Sequence, residues 1–240
     1  MTELSVVIPV HNEEANIQPL VDEVRQALDG KLAYELIYVN DGSSDGTLQR
    51  LSDAGQECPE LRVISHAESV GQSTAVRTGV QYAQGQWIAT LDGDGQNDPA
   101  DLPALYAALL QNSPDGVQLV NGYRKKRKDT FIKRISSRLA NGIRSFLLKD
   151  ETPDTGCGLK VFSRGAYLAL PFFDHMHRFL PAMIQRGGGK VMSVEVNHRE
   201  RERGASHYGF FDRLWVGVFD LMGVAWLQRR ATHPVIVKDD

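Results

Sequence analysis

Apolar and polar positions alternate in blocks along the first hundred residues. Short apolar runs rich in β-branched residues predict buried strands of a parallel sheet, over residues 4–10, 35–39, 61–65 and 86–91. Between them, apolar residues recur at helical spacing, which predicts helices over residues 16–28, from about 48, and ending at 83. Strands that alternate with helices indicate right-handed βαβ units. We therefore expect an α/β fold with a mostly parallel central sheet flanked by helices.

The second half of the chain carries further elements. A helix is predicted over residues 102–110, a fifth strand over 117–121 and a mainly helical basic segment over 123–149. Later predicted elements are a loop entering a strand at 155–162, a short helix at 178–184 and a strand at 190–196. Residues 210–227 form an apolar, aromatic segment that Asp212 and Asp220 interrupt.

A polar loop follows each of the first four predicted strands. In parallel α/β sheets, ligands bind at the carboxyl ends of the strands. The loops after Val10, Val39, Ser65 and Leu91 all belong to that edge. Their convergence predicts the position of a binding site.

The fourth predicted strand runs directly into Asp92-Gly93-Asp94-Gly95-Gln96. Alternate side chains of an extended chain share a face, so the carboxylates of Asp92 and Asp94 are expected to point the same way. Together with Gln96 they supply oxygen donors that suit Mg²⁺ or Mn²⁺, which would also hold diphosphate oxygens. An isolated Asp-x-Asp is more often a simple turn at a strand end. The preceding buried strand and the other polar loops favour the metal site here.

Composition narrows the class of protein. The 240 residues, 42% hydrophobic and 24% charged, are typical of one large globular domain, alone or with an appendage. The net charge of -3 and the carboxylates at the predicted site disfavour nucleic-acid binding. Two cysteines suit a reducing compartment, and neither a signal peptide nor an apolar run of about 18 residues is present. A cytoplasmic protein is expected.

Nucleotide binding would have to use unusual loops. No Gly-x-x-x-x-Gly-Lys-Ser/Thr and no Gly-x-Gly-x-x-Gly follows the first strand, so a metal, rather than a glycine-rich loop, is expected to neutralise a diphosphate. Asp41, at the end of the second strand, is placed to accept hydrogen bonds from a nucleobase or ribose, or to start an Asx-turn. Glu13 is a candidate for ribose binding or for capping the next helix.

Basic residues crowd one stretch of the chain. A phosphomonoester is largely a dianion at pH 7, so as an acceptor it needs a cationic cradle rather than a general base. The cluster suits that need, although a solvated basic face or attraction to anionic lipid headgroups is an alternative. Its members are Arg124, Lys125, Lys126, Arg127, Lys128, Lys133, Arg134, Arg138 and Arg144.

Several motifs resemble those of family 2 glycosyltransferases of the GT-A fold: Val-Ile-Pro-Val-His-Asn-Glu-Glu at 7–14, Val-Asn-Asp-Gly-Ser-Ser-Asp-Gly-Thr at 39–47 and Leu-Asp-Gly-Asp-Gly-Gln at 91–96. Three later motifs resemble the polyprenyl-phosphate glycosyltransferases, the dolichol-phosphate mannose synthase type. They are Asp-Thr-Gly-Cys-Gly-Leu-Lys at 154–160, His-Arg-Phe-Leu-Pro at 177–181, and Arg201-x-x-Gly-x-Ser206-x-Tyr208. The resemblance covers about residues 4–208.

The resemblance implies roles for individual residues. Asp92, Asp94 and Gln96 would surround the metal. The acceptor phosphate would be gripped by Arg124, by Arg134 with Ser137, and by Arg201, with Lys133 an alternative to Arg134. His207 stands where the family often has Lys, which puts that phosphate contact in question. The predicted substrate-binding set is Pro9, Val10, Asn12, Glu13, Asp41, Gly71, Gln72, Asp92, Ser206 and His207.

The implied activity is that of an inverting transferase. It would move a sugar from GDP-mannose or a UDP-sugar to dolichyl or undecaprenyl phosphate. A hydroxyl acceptor on a glycolipid or polysaccharide is an alternative, although the Gln-x-x-Arg-Trp motif of processive enzymes is absent. A non-catalytic scaffold that binds a nucleotide-sugar is another, which the intact Asp92, Asp94 and Arg124 disfavour.

The expected organisation has two parts. Residues 1–208 form the GT-A domain, with a nucleotide-sugar half at 1–112 and an acceptor half at 113–208. Residues 209–240 form a C-terminal apolar segment, expected to lie at a membrane interface or on a membrane partner protein, or to close the core. The protein is then expected to associate peripherally with the cytoplasmic face of the membrane.

Overall fold

The computed structural model describes residues 2–124, 142, 144–150, 152–200 and 210–232, with side chains in the last stretch from residue 217. The described residues form one seven-stranded sheet in the order β3-β2-β1-β4-β6-β5-β7. Its strands are β1 (Leu4–Val10), β2 (Tyr34–Asp41), β3 (Leu61–His66), β4 (Trp87–Thr90), β5 (Val117–Arg124), β6 (Lys160–Ser163) and β7 (Lys190–Val196).

Helices cover both faces of this sheet. Residues 144–148 are helical as well, and short 3₁₀ turns lie at Glu14–Asn16, Pro99–Asp101, Ser113–Asp115 and Met176–Arg178. The described helices are α1 (Ile17–Leu28), α2 (Thr47–Glu57), α3 (Gln72–Tyr82), α4 (Leu102–Asn112), α5 (Arg164–Leu168), α6 (Leu180–Arg186) and α7 (Phe210–Arg229).

Strands β1 to β4 pair in parallel, and every residue of β1 is buried. This is why β1 reads as an almost wholly apolar run, with Ser5 its one polar residue, since both faces of the strand are covered. Two hydrophobic clusters of buried residues complete the core. The α/β expectation is confirmed, and the predicted strands agree with the observed ones to within a few residues. The predicted helical character of 123–149 lies mostly outside the described residues.

Strand β6 breaks the parallel order. It runs antiparallel to both β4 and β5, whereas β5 and β7 are parallel. Because β6 is reversed, its first residue, Lys160, pairs with the last residue of β4, Thr90, and with Asn121 in the second half of β5. The loop before β6 therefore lies at the same edge of the sheet as the loops that follow β1 to β4.

The C-terminal helix α7 packs one face on the core. Val224 and Ala225 are buried, and Gln228 donates to the carbonyls of Leu148 and Ala182 at 3.0 and 3.3 Å. The opposite face is exposed. In the part of the chain that is described, no helix has both the length and the apolar character needed to cross a bilayer.

A buried carboxylate at the rim of the sheet stabilises the fold. Glu35 accepts hydrogen bonds from Ser5 Oγ at 2.6 Å, from Gln84 N–H at 2.6 Å and from Arg62 at 2.7 Å. Burial alone would raise the pKa of Glu35, but these three donors outweigh it and lower the pKa below the ordinary 4.5. The stabilisation is therefore complete above the ordinary pKa and is lost as the pH falls through the lowered one.

Glu35→Gln is expected to lower the free energy of unfolding by about 2 kcal/mol at pH 7, because a charged acceptor is lost. The difference from wild type should shrink as the pH falls below the ordinary pKa of 4.5. Denaturant titrations at pH 7 and pH 3.5 measure it. Glu57→Gln, on an exposed helix position, is the control and should change little. An equal loss at both pH values would contradict the account.

Candidate active site

The carboxyl edge of the sheet contains a cavity of about 490 Å³. Strand ends, the start of α3, the loop before β6 and the turn at Met176–Arg178 form its walls. The polar side chains that line it include Gln72, Asp92, Arg124, Asp154, Lys160 and His177. The cavity thus lies at the predicted edge of the sheet. Its lining includes the end of β1, the start of α3, the chain after β4 and the 154–160 and 176–178 segments, but not the loop after β2.

Asp92 and Asp94 lie beyond β4, which ends at Thr90. The expectation that an extended chain aligns them is wrong, because the chain turns at Gly93 and Asp94. Asn97 Oδ1 accepts from Asp92 N–H at 2.9 Å and Asp94 Oδ1 accepts from Gln96 N–H at 3.1 Å, and these bonds fix the turn. The two carboxylates still interact, since Asp94 contributes to raising the pKa of Asp92.

The carboxylate of Asp92 sits in an unfavourable place for a negative charge. Burial raises its pKa first and Asp94 adds to this, while Lys160, Arg124 and a hydrogen bond from Gln72 at 2.9 Å oppose the shift. The ionised form of Asp92 is disfavoured by burial and by the charge of Asp94, and a divalent cation bound there would offset both effects. Asp92, Asp94 and Gln96 thus fit the predicted cation chemically. Among the described residues no group of three or more His, Cys, Asp or Glu forms a metal cluster, so the amide would be needed.

Gln96 also joins this turn to the chain after β7. Its Nε2 donates to the carbonyl of Arg199 at 3.4 Å, which leaves Oε1 as the atom able to coordinate a cation. Arg199 N–H donates back to the carbonyl of Gln96 at 3.0 Å. The Arg199 guanidinium bonds to Glu23 at 2.8 and 2.9 Å and to Asp98 at 2.6 Å. The segment that precedes Arg201 is therefore held beside the Asp92–Asp94 turn.

The loop before β6 packs directly against Asp92. A Cβ at Gly158 would overlap the Asp92 carboxylate. Thr90 Oγ1 donates to the carbonyl of Gly158 at 2.8 Å, and buried Lys160 donates to the carbonyls of Thr155, at 3.2 Å, and Cys157. Burial lowers the pKa of Lys160, and Cys157 and Asp92 oppose this. Gly158 is thus the position that lets the loop approach the carboxylate.

Arg124 ends β5 and faces the same cavity. Its Nε and Nη2 donate to the two carboxylate oxygens of Asp154 at 2.6 and 2.9 Å. Its backbone N–H donates to the same carboxylate at 3.3 Å. This bidentate pair is mostly shielded from solvent. Arg124 is therefore held rigidly on the wall of the cavity, and its predicted contact with an acceptor phosphate stays a prediction.

Asp41 is buried and already has four donors. His66 Nδ1 and Val70 N–H bond one carboxylate oxygen at 2.8 and 3.0 Å, and Ser69 Oγ and Gly71 N–H bond the other at 2.8 and 2.9 Å. These bonds outweigh burial and lower its pKa. Through these bonds Asp41 orders the loop that leads to α3, and its predicted contact with a nucleoside stays a prediction.

The loop after β1 is fastened to the loop after β2. Asn12, at a positive φ of 56°, accepts from Ser44 N–H at 2.8 Å through its side-chain oxygen. Glu13 accepts from Asn16 at 2.6 Å, and its N–H donates to Thr47 Oγ1 at 2.9 Å. Pro9 lines the cavity, and Val10 lies behind Gly93. These contacts place the predicted nucleoside-binding residues at the expected edge without testing their roles.

Other predicted site residues lie outside the described residues: Lys133, Arg134, Ser137, Arg201, Ser206 and His207. Four residues that line the cavity, Asp154, Gly158, Lys160 and His177, had no role predicted from the sequence, and neither had Ser73, which contacts His177. All but Ser73 fall in motifs that carried the family resemblance. A lysine inside the apolar run at 159–162 was a further available signal.

Comparison with known proteins identifies the family. The profile of Glycosyl transferase family 2 matches residues 5–170. Dodecaprenyl-phosphate galacturonate synthase of Rhizobium johnstonii is 35% identical over 237 residues, 97% of this chain and 69% of the relative. Undecaprenyl-phosphate 4-deoxy-4-formamido-L-arabinose transferase of Edwardsiella ictaluri is 33% identical over 210 residues, 86% of this chain and 63% of the relative. The chain thus spans about two thirds of the length of these curated relatives.

Solved structures share the fold at low identity. Glucosyl-3-phosphoglycerate synthase of Mycobacterium tuberculosis, crystallised with Mn²⁺, UDP and phosphoglyceric acid, superposes with a TM-score of 0.71 at 22% identity over 97% of this chain and 80% of that one. A mannosyltransferase of Pyrobaculum calidifontis, with GDP-Man and Mn²⁺, gives 0.64 at 20% identity over 84% and 58%. The GT-A expectation is confirmed. The profile match and the sequence relatives go further: this chain belongs to glycosyl transferase family 2.

Proposed function

We propose that the chain transfers a sugar from a nucleotide-sugar to a polyprenyl phosphate. One observation carries the proposal: a single cavity has the Asp92 carboxylate on one wall and the Arg124 guanidinium on another. The first suits a cation-bound diphosphate and the second an anionic acceptor. The names of the relatives, which act on dodecaprenyl and undecaprenyl phosphates, support the same acceptor class.

Asp92, Asp94 and Gln96 are the residues we assign to a bound Mg²⁺ or Mn²⁺. When bound, the cation would neutralise the diphosphate of the donor and stabilise charge on the leaving group. Structural neighbours crystallised with these metals support the choice. Gln72 and Gly158 then serve this site by holding the Asp92 carboxylate in place.

A phosphate acceptor fits the groups in the cavity better than a hydroxyl does. A hydroxyl needs a general base, whereas a phosphomonoester is already a dianion at pH 7. The carboxylates that the described residues contribute to the wall are both engaged, Asp154 by Arg124 and Asp92 by Gln72. Asp154 thereby orients the guanidinium that would receive the phosphate.

Arg124→Ala is expected to lower kcat/KM for the lipid phosphate about tenfold or more, because a charge-assisted hydrogen bond is lost. Nucleotide binding should stay unchanged. Steady-state kinetics with varied acceptor, and calorimetry with UDP and GDP, separate the two. Arg25→Ala, at a helix surface position, is the control. Equal loss of nucleotide affinity would place Arg124 in the donor subsite instead.

The exposed face of α7 is assigned to a membrane surface, since polyprenyl phosphates reside in bilayers. Phe219, Met222 and Trp226 are 71%, 62% and 59% exposed at helical spacing, and Arg229 and Arg230 follow at the helix end. Aromatic side chains with flanking arginines fit an interfacial position. The opposite face of α7 packs on the core through Val224 and Ala225, and we assign only the exposed face to a bilayer. We propose peripheral association with the cytoplasmic face.

Replacing Phe219 and Trp226 together by Ser should weaken binding to anionic phospholipid vesicles, measured by co-sedimentation, about tenfold or more. The reason is that the apolar area these side chains would bury in the bilayer is lost. The affinity for nucleotide in the absence of vesicles and the melting temperature should stay close to those of wild type. Tyr82→Ser, an equally exposed aromatic position on α3, is the matched control. Unchanged vesicle binding by the double variant would remove α7 as the contact.

A donor panel tests the proposed activity. Purified protein with undecaprenyl phosphate, detergent and Mn²⁺ is offered UDP-glucose, UDP-galacturonate and GDP-mannose in turn. We expect one donor to release its nucleoside diphosphate only when the lipid phosphate is present. Binding of a nucleotide without turnover of any donor would favour a non-catalytic scaffold, and turnover with a glycolipid alone would favour a hydroxyl acceptor.

A further inference from the structure

The start of α3 connects two walls of the cavity. Gln72 donates to Asp92, and the next residue, Ser73, contacts His177, which is 104 positions away in sequence. Ser73 Oγ accepts from the backbone N–H of His177 at 3.2 Å and lies 2.7 Å from its Nδ1. Ser73 is buried. The imidazole of His177 is therefore held in one orientation on the cavity wall.

These contacts assign the tautomer of His177. The Ser73 hydroxyl already accepts from the backbone, and among the described residues its own proton has Nδ1 as its hydrogen-bond partner. Nδ1 is then an acceptor, so the proton of a neutral ring is on Nε2. Burial, with Arg178 and Lys160 nearby, lowers the pKa of His177 to about 3. The ring is neutral at physiological pH and presents an N–H donor.

The Nε2 edge of His177 has no hydrogen-bond partner among the described residues, and it is not a fully buried atom. His177 lines the same cavity as Asp92 and Arg124. Such a fixed donor, open to a polar cavity, is available to a ligand. A neutral donor suits an uncharged oxygen, whereas the charged oxygens of diphosphate and acceptor phosphate are better matched by a cation and by Arg124.

We propose that His177 is a specificity-determining residue whose Nε2–H donates to a hydroxyl of the sugar being transferred, with Ser73 as its positioning residue. This inference rests on the proposed function, because the transferred sugar must lie between the diphosphate at Asp92 and the acceptor at Arg124. A site built to hydrogen-bond a hydroxyl discriminates against analogues that lack it. With its proton already on Nε2, His177 does not act as a general base at that atom.

Two substitutions of His177 separate its nitrogen atoms. The amide of His177→Asn reaches the Nδ1 position and retains a partner for Ser73, but it has no donor at the Nε2 position. The amide nitrogen of His177→Gln reaches the Nε2 position. We expect His177→Asn to lower kcat/KM for the preferred donor of the panel about tenfold or more. His177→Gln should stay within a few-fold of wild type, with an unchanged pH profile and unchanged nucleotide affinity for both.

Monodeoxy analogues of that preferred donor complete the test. One analogue should lack the hydroxyl that His177 contacts. With that analogue, kcat/KM of wild type should fall to the value that His177→Asn gives with the intact donor, and His177→Asn should lower it no further. Equal penalties of His177→Asn on every analogue would overturn the inference in favour of a structural role. Equal loss of activity in His177→Asn and His177→Gln would overturn the inference in favour of a general-base role for His177. If wild type transfers sugar from no donor, the proposed function fails first and this inference with it.

Discussion

Asp92→Asn is expected to lower turnover by a hundredfold or more, of the order that loss of a key electrostatic group costs an active site. The variant removes one charge from the pair that we assign to a divalent cation. Turnover should be measured across a Mn²⁺ titration, because a weakened metal site shifts the curve as well as lowering its plateau. Full activity of the variant, or of wild type in EDTA, would contradict the metal assignment.

The same substitution should not weaken the fold. Burial and Asp94 raise the pKa of Asp92, so the ionised carboxylate is disfavoured in the metal-free folded protein. Asn removes that cost, and thermal unfolding in EDTA should occur at the wild-type temperature or above it. Loss of activity with retained or increased stability is the pattern of a functional group rather than of a structural one. A large fall in melting temperature would instead assign Asp92 a structural role.

Gly158→Ala should also nearly abolish activity. The added Cβ would lie within the Asp92 carboxylate, so either the carboxylate or the loop before β6 must move. Small displacements of a catalytic group commonly cost about a hundredfold. The measurement is turnover of the preferred donor at saturating Mn²⁺ and acceptor.

Gly165→Ala is the matched control, because its Cβ would meet no atom closer than Ser163 Oγ at 3.9 Å. It should behave as wild type. If Gly158→Ala is equally active, the close approach of the 154–160 loop to Asp92 has no part in catalysis.

Local patterns were enough to predict most of the elements. Strand β1 is buried on both faces, so its sequence is an almost wholly apolar run, and strand β7 was predicted with its observed bounds. The position of the site followed from the loops at one edge of the sheet. These features depend on neighbours in sequence, which is why the sequence alone revealed them.

Contacts between distant residues could not be predicted in this way. The Arg124–Asp154 pair joins residues 30 apart and the Ser73–His177 contact residues 104 apart. The reversal of β6, which brings Lys160 to the site edge, leaves no periodic signal. Asp41 is a further case: its residue type indicated an acceptor, but the four donors that occupy it lie 25 to 30 positions away, at the end of β3 and in the loop that follows.

The central claim is that a phosphate, not a hydroxyl, receives the sugar. The direct test incubates the protein with its preferred radiolabelled nucleotide-sugar and vesicles that contain either undecaprenyl phosphate or undecaprenol. We predict that label enters the lipid fraction with the phosphate and not with the alcohol, and that mild acid releases it as free sugar. Label on undecaprenol, or donor hydrolysis without lipid product, would contradict the account.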